Sequence, residues 1–105
     1  MYTDVKQTIA VAATAQLQKY VASSATNITK ARIMAISAQA SAADGSVKIY
    51  DATDATTAST LVFEAKWGIN NGDILTFYLP QNGIRCKTAM HAVLSNCDFL
   101  VATFD

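Results

Sequence analysis

"LPQNGIRCKTAMHAVLSNCDFL", residues 79 to 100, is the stretch on which the reading of this chain turns. It holds both cysteines, the single histidine and Asp98. Those residue types raise three readings: a thiol active site, a metal site, or β-strands. Written as a strand, "GIRCKTAMHAVLS" sends alternate side chains to opposite faces. Ile84, Cys86, Thr88, Met90, Ala92 and Leu94 then share one face, which is mostly apolar. Arg85, Lys87, Ala89, His91, Val93 and Ser95 share the other. Cys86 is expected to point inward and His91 outward, so the strand separates a thiol from the base it would need within hydrogen-bond reach.

A two-residue turn at Ser95-Asn96 folds "CDFLVATF" back on this strand. Leu94 then faces Cys97, Ala92 faces Phe99, Met90 faces Val101 and Thr88 faces Thr103, apolar against apolar. In that register Cys86 and Cys97 lie on the order of 26 Å apart at ~3.3 Å per residue. A disulfide needs Cα atoms within ~7 Å, so no intrachain bridge is expected. Two reduced, buried cysteines behave as small hydrophobes and suit a reducing cytoplasm. One His and two Cys lack the C-x₂₋₄-C or H-x₃₋₅-H spacings of zinc sites. No metal, cofactor or catalytic residue is therefore assigned.

Four further marks punctuate the chain. Asp44-Gly45 reads as a hairpin turn, because type I′ turns need φ > 0. "INNGDI" (69–74), "PQNG" (80–83) and "LSNCD" (94–98) read as turns. Between them lie strand-like runs. "ARIMAISAQA" (31–40) alternates loosely, and "VKIYD" (47–51) sets Val47 with Ile49. "STLVFEAKW" (59–67) sets Leu61, Phe63, Ala65 and Trp67 against Glu64 and Lys66. "DILTFYL" (73–79) sets Leu75, Phe77 and Leu79 together. Short strands at near-regular spacing indicate an all-β fold, a small antiparallel β-sandwich, jelly-roll-like or barrel-like. "DATDATTAST" (51–60) reads as an exposed loop or contact loop.

The first thirty residues fit two patterns. Ile9, Val11, Ala13, Ala15, Leu17 and Val21 alternate as in a strand, while Val5, Ile9, Ala12, Ala13, Leu17, Tyr20 and Val21 fit one helical face. The Thr and Val content and the β-rich remainder favour extended structure. The expected organisation is an extended N-terminal arm or edge strands over 1–30, and a sandwich domain over 31–105. Asp4 and a short apolar core argue against a signal peptide at the start.

With 105 residues the chain suffices for one modest core. It is 51 % hydrophobic and only 15 % charged, against a usual charged share of about 25 %. Eight Lys/Arg balance eight Asp/Glu, which leaves nucleic-acid binding without an electrostatic basis. No apolar run reaches the ~18 residues of a membrane span. So few charges imply a surface of small polar residues, or a surface covered in an assembly.

Other chemistry is sparse. Asp51 and Asp54 flank the small loop, too few oxygens for calcium, and Asp51 is expected to close a strand end. Tyr50, Trp67 and Tyr78 could stack on a sugar. Aromatic residues on strands more often pack, and Trp67 beside Gly68 is the best of the three for an exposed contact. No phosphate loop, nucleophile elbow or paired catalytic carboxylates can be found.

The order of features in residues 31–104 resembles the small β-rich virion proteins of tailed bacteriophages. An alternating strand leads to "GSVKIYD" (45–51), a small polar loop and "LVF" (61–63). "ILTFYLPQNGIR" (74–85) and a closing "VATF" (101–104) follow. The resemblance implies a non-enzymatic capsid decoration (cement) protein, or another head- or tail-associated subunit. It would be assembled in the host cytoplasm as a homo-oligomer, a trimer among the forms expected, and seated on a larger capsid or other virion protein. Residues 1–30 would be an arm added as a strand to a neighbour, so losing residues 1–20 would leave the domain folded. The competing expectations are a carbohydrate-binding β-sandwich using Trp67, a tail- or connector-associated adhesion subunit, and a small enzyme using His91 and a cysteine.

Overall fold

A computed structural model of the chain describes residues 6–53, 57–69, 72–79 and 83–105. Eleven strands follow in order: β1 (Lys6–Gln7), β2 (Ala15–Gln16), β3 (Gln18–Val21), β4 (Ser24–Asn27), β5 (Ala31–Ala40), β6 (Ser46–Tyr50), β7 (Leu61–Lys66), β8 (Ile74–Tyr78), β9 (Ile84–Cys86), β10 (His91–Ser95) and β11 (Cys97–Phe104). A short 3₁₀ turn, Ala58–Thr60, precedes β7. The all-β expectation holds, and residues 6–30 form strands and connecting turns without a helix.

Two antiparallel sheets carry the fold. Sheet A runs β1-β11-β5-β8, with β9 continuing the β8 edge along the start of β5. Sheet B runs β2-β10-β6-β7. The pairs are nested along the chain: β6 with β7, β5 with β8, β2 with β10, β1 with β11. One long antiparallel ribbon has been rolled so that successive pairs fall in alternate sheets. That is the strand order of a jelly roll. β3 and β4 form a separate hairpin between β2 and β5.

Alternation along each strand sends one row of side chains between the sheets. Ile36, Ala38, Ala40, Leu100, Ala102 and Phe104 come from sheet A, and Val47, Ile49 and Ala92 from sheet B. Phe63 of β7 meets Phe77 of β8 edge to face, with ring centroids 5.6 Å apart, and joins the two sheets along one side. The sequence reading placed Val47 and Ile49, Phe63, Ala65 and Trp67, and Leu75, Phe77 and Leu79 inward as found, but not Leu61: past a register shift at the start of β7, Val62 packs on the core instead.

Strand pairing departs from expectation at two turns. Asp44-Gly45 does not close a hairpin, because β5 and β6 belong to different sheets. It bends the ribbon beside the chain leaving β7. The Asp44 N–H donates to the Gly68 carbonyl at 2.5 Å, and the Trp67 N–H to the Gly45 carbonyl at 3.1 Å. Asp44 has φ 56°, and Gly45 is required by proximity, since a Cβ there would collide with the Trp67 ring. Ser95-Asn96 likewise bends the chain from β10 in sheet B to β11 in sheet A, with Asn96 at φ 52°. The expected pairing of Ala92 with Phe99 is therefore wrong. Ala92 pairs with Ile49 and Ala15, and Phe99 with Gln39. The facing is corrected too: Leu100, Ala102 and Phe104 of β11 turn to the core, and Phe99, Val101 and Thr103, expected to meet the apolar face of 84–94, turn outward.

The single strand expected over 84–95 is also broken, into β9 and β10. Lys87 to Met90 carry the chain from sheet A to sheet B, and Ala89 and Met90 are both buried there. Pro80 and Asn82 of the expected third turn, and Asp54, lie outside the described residues.

Residues 6–30 are built into the roll rather than held off it. β1 and β2 are edge strands of the two sheets, and threonine side chains extend their pairing. The Ala102 N–H donates to Thr8 Oγ1 at 3.0 Å, and the Leu94 N–H to Thr14 Oγ1 at 3.2 Å. Leu17 and Ile28 are buried in the common core. Burying a leucine contributes about 1.5–3 kcal/mol, so removing residues 1–20 would cost the domain core packing as well as two edges.

Candidate functional site

The cysteines and histidine do not form a site. Cys86 pairs with Ala31 at one end of β5, and Cys97 with Ala40 at the other. Those partners stand nine positions apart along β5, on the order of 30 Å. Both thiols are free and buried. Burial, with the Asp51 charge adding to it, pushes the Cys86 thiol up to about 12. Burial also raises Cys97, whose Sγ donates to the Phe99 carbonyl at 3.1 Å. Neither is a thiolate at neutral pH, the form that attacks carbon or binds metal. His91 lies on the outer side of sheet B between Tyr50 and Gln16. Its Nδ1 is buried without a hydrogen-bond partner among the described residues. No group of three metal-ligating side chains occurs among the described residues.

Asp51 is the most engaged polar side chain. It stands at the end of β6, where its N–H donates to the Thr60 carbonyl at 2.8 Å and closes the 51–60 loop. Its carboxylate takes the N–H groups of Lys87 at 3.0 Å, Thr88 at 2.8 Å and Ala89 at 3.3 Å. These are the groups left over where β9 gives way to β10. Burial opposes ionisation of Asp51, but the three N–H donors and the Lys87 charge outweigh it and hold the carboxyl below its usual range. Its role is to secure the crossing between sheets, beyond closing a strand end.

The three aromatics do not make a platform. Trp67 is 7 % exposed, and its Nε1 donates to the Ala42 carbonyl at 2.9 Å. The expectation that it offers an exposed contact is corrected: one residue past β7, it continues the inward row of Phe63 and Ala65 and packs against Gly45. Tyr50 lies on the outer side of sheet B and Tyr78 on the outer side of sheet A.

Lys30, Ala31, Arg32, Arg85 and Asp105 line an open cavity of about 270 Å³ at one end of sheet A. Arg32 and Arg85 stand directly opposite each other there.

The feature that remains is a surface. On the outer side of sheet A three rows cross the sheet: Ile74–Gln39–Phe99, Thr76–Ser37–Val101 and Tyr78–Ala35–Thr103. None of these nine residues is charged. Ser37 and Thr76 hydroxyls lie 3.4 Å apart, and Gln39 Nε2 donates to the Gly72 carbonyl at 3.1 Å, so three of the polar members already have partners in this chain. Ile74 is 64 % and Tyr78 82 % exposed. The low charge count anticipated such a surface without locating it.

No protein-family model, curated protein or solved structure matches this chain.

Proposed function

We propose that this chain is a non-enzymatic structural subunit of a phage virion, a capsid decoration (cement) protein that stabilises joints between larger subunits. The observation that carries the reading is the block of three uncharged rows on the outer side of sheet A, with Ile74 and Tyr78 left in water. Scattered exposed hydrophobes need no explanation, but a contiguous face of apolar and small polar residues marks an interaction surface. Seating such a face on a partner desolvates no charge. The jelly-roll strand order supports the reading by analogy alone, since that architecture recurs in viral capsid and lectin domains. Raised, buried thiols weigh against the thiol-enzyme alternative, and a buried Trp67 against the sugar platform.

Sedimentation of lysates from infected cells tests the proposal. The wild-type chain is expected to band with particles, and Val101→Lys, in the middle of the face, to remain in the soluble fraction. A wild-type chain found only as free protein overturns it.

A further inference from the structure

β8 is an open edge. Its other side pairs with β5, and among the described residues no strand occupies the free side. The register states which groups point outward. The Leu79 N–H donates to the Met34 carbonyl at 3.1 Å, and the Ala40 N–H to the Asp73 carbonyl at 2.9 Å. Residues 73, 75, 77 and 79 therefore direct their backbone groups to β5. By the alternation of antiparallel ladders, Ile74, Thr76 and Tyr78 direct theirs away from it.

Folded proteins usually blunt such edges with charge, proline, a bulge or shortness. β1 and β2 have two residues each, and β7, the other long edge, carries Glu64 and Lys66. β8, "ILTFY", has none of these devices.

We infer that the free edge of β8 pairs antiparallel with β8 of a second copy of this chain, about a two-fold axis at Thr76. The strand is self-complementary in that register. Ile74 stands opposite Tyr78 of the second copy, Thr76 opposite Thr76, and Leu75 opposite Phe77. The outer row meets an outer row of the same kind, and the inner row an inner one. An aromatic residue against a β-branched one is a favourable cross-strand pair. All three outward N–H and C=O groups on each copy find partners. Sliding the register by two residues strips one of them from each copy.

Charge favours a second copy over an unrelated strand. A two-fold axis sets like residues near one another, and the uncharged rows through Ile74, Thr76 and Tyr78 bring no repulsion to that contact. The charges flanking the strand are complementary: antiparallel pairing lays the Asp73 end of one copy beside the Arg85-bearing end of the other's edge. Sheet A then runs through the axis, and the two uncharged faces join into one. The inference rests on reading that face as an interface, and does not require the virion.

Light scattering on the purified chain, with cysteine variants for register, tests it. The wild type is expected at twice the monomer mass. Thr76→Lys puts two ammonium groups at the axis and should weaken the dimer by at least about tenfold. Its circular dichroism should stay unchanged. Under oxidation Thr76→Cys should cross-link, because like positions at the axis have Cα atoms about 5.5 Å apart. Tyr78→Cys should not, because four residues of offset separate like positions by about 13 Å. A wild type that is monomeric at every concentration, or equal cross-linking at both positions, overturns the inference. A monomer that bands with virions would sink the pairing and leave the structural-subunit reading standing. A dimer that never bands with particles would do the reverse.

Discussion

The two outer faces of the sandwich are built alike and finished differently. On sheet B the rows carry Lys48, Glu64 and Lys66 beside Ser46, Ser95 and Val93. Glu64 lies 3.6 Å from Lys66 and 3.9 Å from Lys48, so that face is knitted by charge. On sheet A the equivalent rows have no charge at all, and Ile74 and Tyr78 stand in water. A chain with only 15 % charged residues could have spread them thinly. It has instead left three adjacent rows of one face without any, the nearest charged row being Arg32–Arg85 at the end of the sheet. A solvated face tolerates charge at little cost, whereas a face that is covered must give up the hydration of every charge it carries. The asymmetry is what a one-sided interface requires.

The largest expected effect comes from adding the same charge to each face. Val101→Lys and Val93→Lys introduce one ammonium group on sheets A and B respectively. Both side chains point outward, so each change should alter unfolding stability by no more than about 0.5 kcal/mol. Under the structural-subunit reading Val101→Lys abolishes co-sedimentation with particles and Val93→Lys leaves it intact. Equal behaviour of the two variants would erase the functional distinction between the faces.

A smaller effect separates the face charges from Asp51, which binds backbone. Asp51→Ala leaves three N–H groups without their acceptor. Two belong to exposed residues that water can serve, and one to buried Ala89. The expected loss is about 1–2 kcal/mol by urea titration. The pH dependence has a definite sign. The folded-state pKa of Asp51 is depressed, so its contribution is fully present above the unfolded value of about 3.9. It is lost as pH falls through the lower folded value. Asp51→Asn should remove that acid-side loss and show a flatter profile below about pH 4. An unchanged acid profile would mean that the three hydrogen bonds carry no net weight.

How much of this was legible in the sequence depends on which question is asked of it. Alternation states which side chains share a face, and the inward choice was correct for Val47, Ile49, Phe63, Ala65, Leu75 and Phe77 but reversed in β11, where Leu100, Ala102 and Phe104 turn inward instead of Phe99, Val101 and Thr103. It even marked Trp67 as inward, two positions after Ala65, a signal outweighed by the neighbouring Gly68. What alternation does not state is which strand lies alongside. Asp44, Asn96 and Gly83 do take positive φ, as turn residues should. A bend that carries a ribbon from one sheet to the other uses the same backbone as a tight hairpin, and only packing across the core tells them apart. The hairpin that does exist in the N-terminal segment, β3 to β4, turns on Ala22 at φ 58°, a residue that gives no turn signal. The break between β9 and β10 was detectable by length, since residues 84–95 make a strand about twice the usual ~5–6 residues. The uncharged face could not be read at all, because it collects residues from β5, β8 and β11 that are far apart in the chain.

The smallest expected effect tests whether the charges of sheet B are more than a solvated finish. Glu64→Gln removes the acid shared by Lys48 and Lys66. Both contacts are long, and Lys66 is 73 % exposed. Exposed pairs of this kind contribute about 0–1 kcal/mol and are screened by salt. The expected loss is therefore about 0.5 kcal/mol at low ionic strength, vanishing near 1 M salt, where the screening length falls to about 3 Å. Thermal melts at both ionic strengths measure it. A loss several times larger, or one that survives high salt, would show that these charges bind the sheet together. Sheet B would then owe its outer face to stability, and the contrast with sheet A would no longer be one between a wet surface and a covered one.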